Sequence, residues 1–87
     1  MKKSFSDDAW NDIVYWSTHD KKVFKKILKI LEDIERNWYV GIGKPERLSG
    51  CLSKYWSRRI DEKNRIVYKI ENDTVFVIQC GSHYRDK

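Results

Sequence analysis

The sequence predicts an α+β domain in which two helices pack on a small, mainly antiparallel sheet, in the order β-α-α-β-β-β. Three observations support this prediction. Two stretches in the first half of the chain place apolar residues at helical spacing. Three runs in the second half are rich in strand-forming residues, and most of them alternate between apolar and polar positions. A chain of 87 residues is long enough for one domain only, so residues 1–87 are expected to share a single core.

A short strand over residues 2–5 and a first helix open the chain. Ser6 is a typical N-cap residue, and Asp7 and Asp8 put negative charge in the first turn, where the helix dipole favours it. The helix is expected to extend to about residue 18. The residues that recur at helical spacing along it are Trp10, Ile13, Val14 and Ser17.

A second helix is expected after His19-Asp20, which interrupts the first helix and can cap the next. It should end near Arg36. Its broad apolar stripe consists of Val23, Phe24, Ile27, Leu28, Ile30, Leu31 and Ile34. Neither helix is long enough to be stable alone, so each must pack on another element.

The second helix has a charge order that opposes its own dipole. Its first half contains Lys21, Lys22, Lys25, Lys26 and Lys29, whereas its last turns contain Glu32, Asp33 and Glu35. A solvated surface is one interpretation. The net charge of +5 favours another, in which Lys22, Lys25 and Lys29 bind an anionic partner such as RNA.

Residues 37–54 form a long loop, because they contain three of the four glycines and the only proline, Pro45. Long loops in small domains are more often functional than accidental. Glu46, which follows that proline, is therefore a candidate acid–base residue, although sequence spacing cannot place it beside a particular partner.

Residues 55–61 and 65–71 are expected to form a hairpin. Pairing Ile60 with Ile66 and Trp56 with Ile70 puts the apolar residues on one face and centres the turn on Lys63. Arg59 and Arg65 would then be diagonal neighbours on the polar face. Two guanidinium groups so close repel each other unless an anion, such as a phosphate, lies between them.

Residues 74–80 form the last predicted strand, after a two-residue turn at Asn72-Asp73. The turn pairs Ile70 with Val75 and Tyr68 with Val77, and it puts Cys80 opposite Arg65. The tail that contains His83 should therefore begin beside Arg65. This strand is apolar on both faces, which predicts a central position in the sheet. Four aromatic residues are expected in the core: Trp10, Trp16, Trp56 and Tyr68.

Several classes of protein are excluded by composition. Four Trp, five Tyr and three Phe argue against disorder. No apolar run is long enough for a membrane span or a leader peptide. Cys51 and Cys80 match no metal-ligand spacing, and reduced thiols in a cytoplasmic protein are the simpler account. Neither a metal nor another cofactor is expected.

RNA cleavage without a metal requires few groups: a base for the 2′-hydroxyl, cations for the phosphate, and an acid for the leaving oxygen. The chain has two histidines, and His19 is expected to be a cap or surface residue. His83 is the better catalytic candidate because the predicted pairing brings it near Arg65 and Arg59. Tyr84 or Trp56 could stack on a base.

Several segments of the chain resemble those of the YoeB/Txe toxins of the RelE/ParE superfamily. The segments that support the resemblance are Gly41-Ile42-Gly43-Lys44-Pro45-Glu46, Tyr55-Trp56-Ser57-Arg58-Arg59-Ile60, Asn64-Arg65-Ile66-Val67-Tyr68 and His83-Tyr84, with Trp10, Tyr15-Trp16, Asp20 and Lys25-Lys26-Ile27 nearer the start. The resemblance implies a RelE-like fold and cleavage of mRNA in the ribosomal A site. It also implies a YefM-like antitoxin as partner, and homodimers are common in the family.

The resemblance also assigns roles to individual residues. Glu46 would be the general base and His83 the general acid. Arg65 would stabilise the transition state, and Tyr84 would orient or stack on the substrate. Lys44 and Arg59 would hold backbone phosphates. Three features depart from the family pattern: Ser49 where a lysine is usual, Gly81-Ser82 before His83, and the added residues 85–87.

Two alternative functions remain open. The first is a non-catalytic inhibitor, since some proteins of this fold poison DNA gyrase without the catalytic set. The second is a ribosome- or RNA-binding module that has lost activity, which the departures at Ser49 and Gly81-Ser82 would explain.

Overall fold

The predicted α+β class is confirmed in a computed structural model, which describes residues 1–81. Its helices are α1 (Asp7–His19) and α2 (Lys21–Arg36). Its strands are β1 (Lys2–Phe5), β2 (Glu46–Arg47), β3 (Trp56–Arg59), β4 (Arg65–Glu71) and β5 (Thr74–Cys80). Strand β2 is an addition to the predicted order, and it lies inside the long loop together with a 3-10 turn at Gly50–Leu52.

The five strands form one mixed sheet in the order β1-β5-β4-β3-β2. Strand β1 is parallel to β5, and the other neighbours are antiparallel. The apolar strand β5 therefore lies inside the sheet, as its sequence predicts. Both helix starts are capped as expected: the Ser6 hydroxyl accepts the Ala9 N–H at 3.0 Å, and the Asp20 carboxylate accepts those of Lys22 and Val23.

The buried face of α1 differs from the predicted one. Trp10 and Val14 are 56% and 48% exposed, so their assignment to the core side was wrong. The residues that face the sheet are Ala9, Asp12, Ile13 and Trp16. Two hydrogen bonds to the end of β5 orient the helix in this way. Asp12 accepts the Cys80 N–H at 2.8 Å, and the Trp16 indole donates to the Cys80 carbonyl at 2.8 Å.

The core lies between the two helices and one face of the sheet. Helix α2 contributes Val23, Ile27, Ile30, Leu31 and Ile34, as predicted, whereas Leu28 of the same stripe is exposed. Trp16 and Tyr68 are buried as expected, and Trp56 is only partly buried. No helix within residues 1–81 is long and apolar enough to cross a membrane.

The β3–β4 hairpin has the predicted faces but a different register. Trp56 pairs with Tyr68, and Arg59 pairs directly with Arg65, so the pairs 60–66 and 56–70 were wrong by two positions. An even shift leaves every side chain on its face. The cause lies in the turn, where the Asp61 carboxylate accepts the N–H groups of Lys63 and Asn64 at 2.8 and 2.7 Å.

The β4–β5 hairpin confirms the turn and most of the register. Asn72 and Asp73 both have positive φ, 50° and 57°, as a two-residue turn of the favoured hairpin type requires. Ile70 pairs with Val75 as predicted. A bulge beyond Tyr68 then shifts the pairing by one residue, so Cys80 faces Ile66 and not Arg65.

The predicted start of the tail is nevertheless correct. The Gly81 N–H donates to the Arg65 carbonyl at 2.9 Å, so the last described residue lies beside Arg65. Because of the bulge, Arg65 has Gly81 as its partner and not Cys80.

Candidate active site and nucleic-acid interface

The sheet face opposite the helices brings three of the candidate residues together. Glu46 pairs with Ser57 across β2 and β3, and Arg59 pairs with Arg65 across β3 and β4. Ser57 and Arg59 are two residues apart, so they share a strand face. Glu46, Arg59 and Arg65 therefore lie on one surface, which we call the Arg59 face.

On the Arg59 face, a carboxylate and a guanidinium approach each other while both remain accessible. Arg59 Nη2 lies 3.9 Å from Glu46 Oε1, and the two side chains are 43% and 55% exposed. An exposed pair at this distance contributes little to stability. Both groups are therefore available to a ligand at small cost.

The direct pairing of Arg59 with Arg65 concentrates positive charge more than the predicted diagonal arrangement would. Side chains directly opposite each other on antiparallel strands have Cβ atoms about 4.5–5.5 Å apart, and like charges there destabilise the sheet. A phosphate bound by both guanidinium groups would remove this repulsion. Arginine also suits phosphate because its planar fork can donate two hydrogen bonds at once.

Lys44 is held beside this face by the backbone around it. The Arg59 N–H donates to the Gly43 carbonyl at 2.6 Å, which ties the loop to β3 immediately before Lys44. Gly43 is required there because its φ is +84° and an added Cβ would lie 2.9 Å from the Arg59 carbonyl oxygen. Lys44 itself is exposed, with φ of 48°.

The lysines of α2 lie elsewhere. Lys22, Lys25 and Lys29 are exposed and, with Lys26, line a shallow groove on the helix side of the molecule. The structure therefore does not bring them together with Glu46, Arg59 and Arg65. They form a second basic surface, the α2 lysine face.

His83 and Tyr84 lie outside the described residues, but the strand end that leads to them is firmly held. Asp12 and Trp16 bond the N–H and the carbonyl of Cys80, both at 2.8 Å. Gly81 has φ of +129°, and an added Cβ would lie 2.9 Å from Trp16 Nε1. Sequence reasoning missed this contact because Asp12 interrupts the apolar pattern.

Gly81→Ala is therefore expected to lower the free energy of unfolding by about 1–3 kcal/mol, since it combines a strained φ with a collision. Urea denaturation followed by tryptophan fluorescence would measure it. Gly50→Ala is the matched control, because Gly50 also has positive φ, +68°, but has nothing within 4 Å of an added Cβ. Equal losses in the two variants would contradict the collision.

Arg58 is a second residue whose environment the sequence did not reveal. Alternation along the strand puts Arg58 on the same face as Trp56 and Ile60, and the side chain is fully buried and pairs with Asp33. The hydrogen bond from Arg58 holds the pKa of Asp33 below its usual range, so Asp33 is ionised at neutral pH. A charged residue within an apolar strand face was the one available signal.

Comparison with known proteins shows which family the chain belongs to. A family model for the YoeB-like toxin of bacterial type II toxin–antitoxin systems matches residues 5–84. The chain belongs to the YoeB toxin family. The family resemblance of the sequence motifs is thus confirmed over nearly the whole chain.

Individual YoeB relatives are similar in sequence and in structure. Toxin YoeB of Streptomyces coelicolor is 45% identical over 84 residues, which cover 97% of this chain and all of the relative. A YoeB/ParE toxin from Agrobacterium tumefaciens superimposes with a TM-score of 0.92 at 36% identity, covering 97% of this chain and 100% of that one.

Staphylococcus aureus YoeB adds information on assembly in a relative. It has been solved as a dimer, with a TM-score of 0.89 to this chain, and in a heterotetrameric complex with the YefM antitoxin, with a TM-score of 0.90. In both structures the identity is 40%, and the match covers 97% of this chain and 98% of that one.

Proposed function

We propose that this YoeB-family toxin is a ribosome-dependent endoribonuclease that cleaves mRNA in the A site. The observation that supports the proposal is the Arg59 face, where one carboxylate and two arginine residues share one side of the sheet. Attack by a 2′-hydroxyl on the adjacent phosphate needs a general base, and it is helped by cationic side chains that bind the phosphate. Family membership supports the same activity.

In the proposed mechanism, Glu46 removes the proton of the 2′-hydroxyl, whose oxygen then forms a bond to the adjacent phosphorus. Arg65 stabilises the negative charge that develops on the non-bridging oxygens. The bond from phosphorus to the 5′-oxygen breaks as His83 protonates that oxygen. The products are a 2′,3′-cyclic phosphate and a free 5′-hydroxyl.

The other candidate residues hold and orient the RNA. Arg59 and Lys44 bind backbone phosphates, and Tyr84 orients the substrate or stacks on it. Arg59 lies opposite Arg65, so the two arginines can bind adjacent phosphate oxygens. None of these steps requires a metal.

The α2 lysine face is proposed to bind ribosomal RNA while mRNA occupies the Arg59 face. Changing Lys22, Lys25 and Lys29 together to Gln is expected to weaken ribosome binding. The slope of log affinity against log salt concentration should flatten by about two to three units, since each phosphate contact contributes nearly one. Binding titrations at several salt concentrations would measure it.

A control for this prediction removes equal charge from other exposed positions, Lys2, Lys54 and Lys63. If the two triple variants change the slope equally, or if the α2 variant leaves it unchanged, the α2 lysines are a solvated surface and not an RNA contact.

We propose a YefM-like antitoxin as the neutralising partner and a homodimer as a second assembly, by analogy with the S. aureus relative. Because its substrate would be translating ribosomes, the proposed location is the cytoplasm. The retained Glu46 and Arg65, with His83 and Tyr84 in the sequence, argue against a non-catalytic gyrase inhibitor.

In vitro translation with mapping of mRNA 5′ ends tests the function. Ribosome-dependent appearance of new 5′ ends within A-site codons would support the proposal. Inhibition of translation without new ends would indicate a binding module that has lost activity. Normal translation combined with inhibition of gyrase supercoiling would indicate the gyrase inhibitor.

A further inference from the structure

We infer that Arg58, which no role above includes, is a positioning residue for the proposed RNA cleavage. Arg58 holds the loop that leads to Lys44 and Glu46, and it thereby sets the position of these two residues at the Arg59 face. This inference rests on the proposed function for its catalytic consequence. The structural part, that Arg58 holds the loop, rests on the contacts of the buried guanidinium alone.

Every nitrogen of the Arg58 guanidinium has an acceptor, and most acceptors belong to one segment. Nε donates to the Tyr68 hydroxyl at 3.2 Å. Nη1 and Nη2 donate to the Asp33 carboxylate and to four backbone carbonyls, those of Asn37, Trp38, Val40 and Ile42. One side chain thus binds four of the six carbonyls of residues 37–42, in the loop between α2 and β2.

Further hydrogen bonds tighten the same segment. Asp33, the charged partner of Arg58, also accepts the Ile42 N–H at 3.2 Å. The Tyr68 hydroxyl donates to the Trp38 carbonyl at 2.8 Å. Ile42 is therefore held through both its N–H and its carbonyl. Arg58 also donates to Asp33 and to Tyr68, the two side chains that make these further bonds.

The held segment is joined directly to the site residues. Gly43 follows Ile42, and its carbonyl accepts the Arg59 N–H at 2.6 Å. Lys44 and Pro45 come next, and Glu46 then pairs with Ser57 on β3. Neighbouring residues of β3 thus hold the loop at two points, Arg58 through its side chain and Arg59 through its backbone.

Stability alone does not explain a charged residue at this position. A buried ion pair often contributes no more stability than well-packed apolar residues of similar volume, because both charges lose their hydration. A guanidinium is suited to a different task, since it can satisfy several carbonyls of an irregular loop at once. Holding such a loop matters most where the loop delivers reactive groups, since displacement by about 1 Å can cost 10²-fold in rate.

Arg58→Lys tests the inference, because it keeps the charge but cannot reach the same set of acceptors. The single-turnover rate of mRNA cleavage on saturating programmed ribosomes is expected to fall by about 10- to 100-fold. Ribosome affinity should fall far less than the rate, since Lys44 is the one proposed RNA contact on this loop and Arg59 and the α2 lysine face are unchanged. Amide hydrogen exchange should become faster at Ile42 and Arg59 but not in β5.

Ile27→Val and Ile30→Val are the control variants. Both residues are fully buried in α2, which also carries Asp33, but neither is a partner of Arg58. They should lower the melting temperature with no loss of rate for the folded protein. If Arg58→Lys cleaves within twofold of the control that has the closest melting temperature, Arg58 is structural and the inference is wrong.

Tyr68→Phe extends the test if Arg58→Lys does not fold. It removes only the hydroxyl that joins Arg58 to the Trp38 carbonyl, and a smaller loss of rate with faster exchange at Ile42 is expected. Unchanged rate and exchange would overturn the inference. If the wild-type protein does not cleave mRNA, the proposed function fails, whereas the exchange measurements still decide whether Arg58 holds the loop.

Discussion

Arg65→Lys is expected to slow mRNA cleavage on programmed ribosomes by about 10²–10³-fold, the loss typical of removing one donor to a developing oxyanion. The charge remains, but an ammonium cannot grip two phosphate oxygens as the planar guanidinium does. Affinity for ribosomes should persist, because Lys44, Arg59 and the α2 lysine face are unchanged. Single-turnover cleavage and binding titrations would separate the two effects.

The position of Arg65 makes this variant a test of chemistry more than of folding. Its side chain lies on the Arg59 face, and its carbonyl, which the substitution leaves intact, accepts the Gly81 N–H. Arg36→Lys, at an exposed position on α2, is the control for the loss of a guanidinium elsewhere. A lysine variant that cleaves at the wild-type rate would refute the catalytic role. A variant that unfolds would show that Arg65 is structural.

Alternation of apolar and polar residues was sufficient to predict which side chains share a face of the sheet. It placed Arg59 and Arg65 together on the polar face, and the structure agrees although the register moved by two positions. The register itself depends on the hydrogen bonds of one turn, where Asp61 accepts two backbone N–H groups. Hydrophobic pattern does not encode that detail.

Polar contacts in the core are the main reason why the sequence did not reveal which residues of α1 and β3 are buried. Asp12 faces the sheet because it bonds the end of β5, and Arg58 is buried because the loop supplies its acceptors. Both depend on partners more than ten residues away in sequence. Glu46 presented a related difficulty: a strand of two residues, Glu46–Arg47, has no periodicity to detect, and only its pairing with β3 defines it.

Glu46→Ala and His83→Gln are each expected to lower single-turnover cleavage by about 10²–10⁴-fold, the usual contribution of a positioned base or acid. Ribosome binding should remain close to wild type. For Glu46 the stability should also be nearly unchanged, because its ion pair with Arg59 is long and both side chains are about half exposed. Quench-flow cleavage with unfolding curves for each variant would measure this.

Glu62→Ala is the matched control for Glu46→Ala, since Glu62 is an exposed carboxylate in the turn beyond Arg59. It should cleave at the wild-type rate. If Glu46→Ala cuts as fast as Glu62→Ala, the base is another group, and the closeness of Glu46 to Arg59 is a surface ion pair only. If instead Glu46→Ala is slow while His83→Gln is not, the base assignment stands and the acid must be sought elsewhere, with Tyr84 the next candidate to replace.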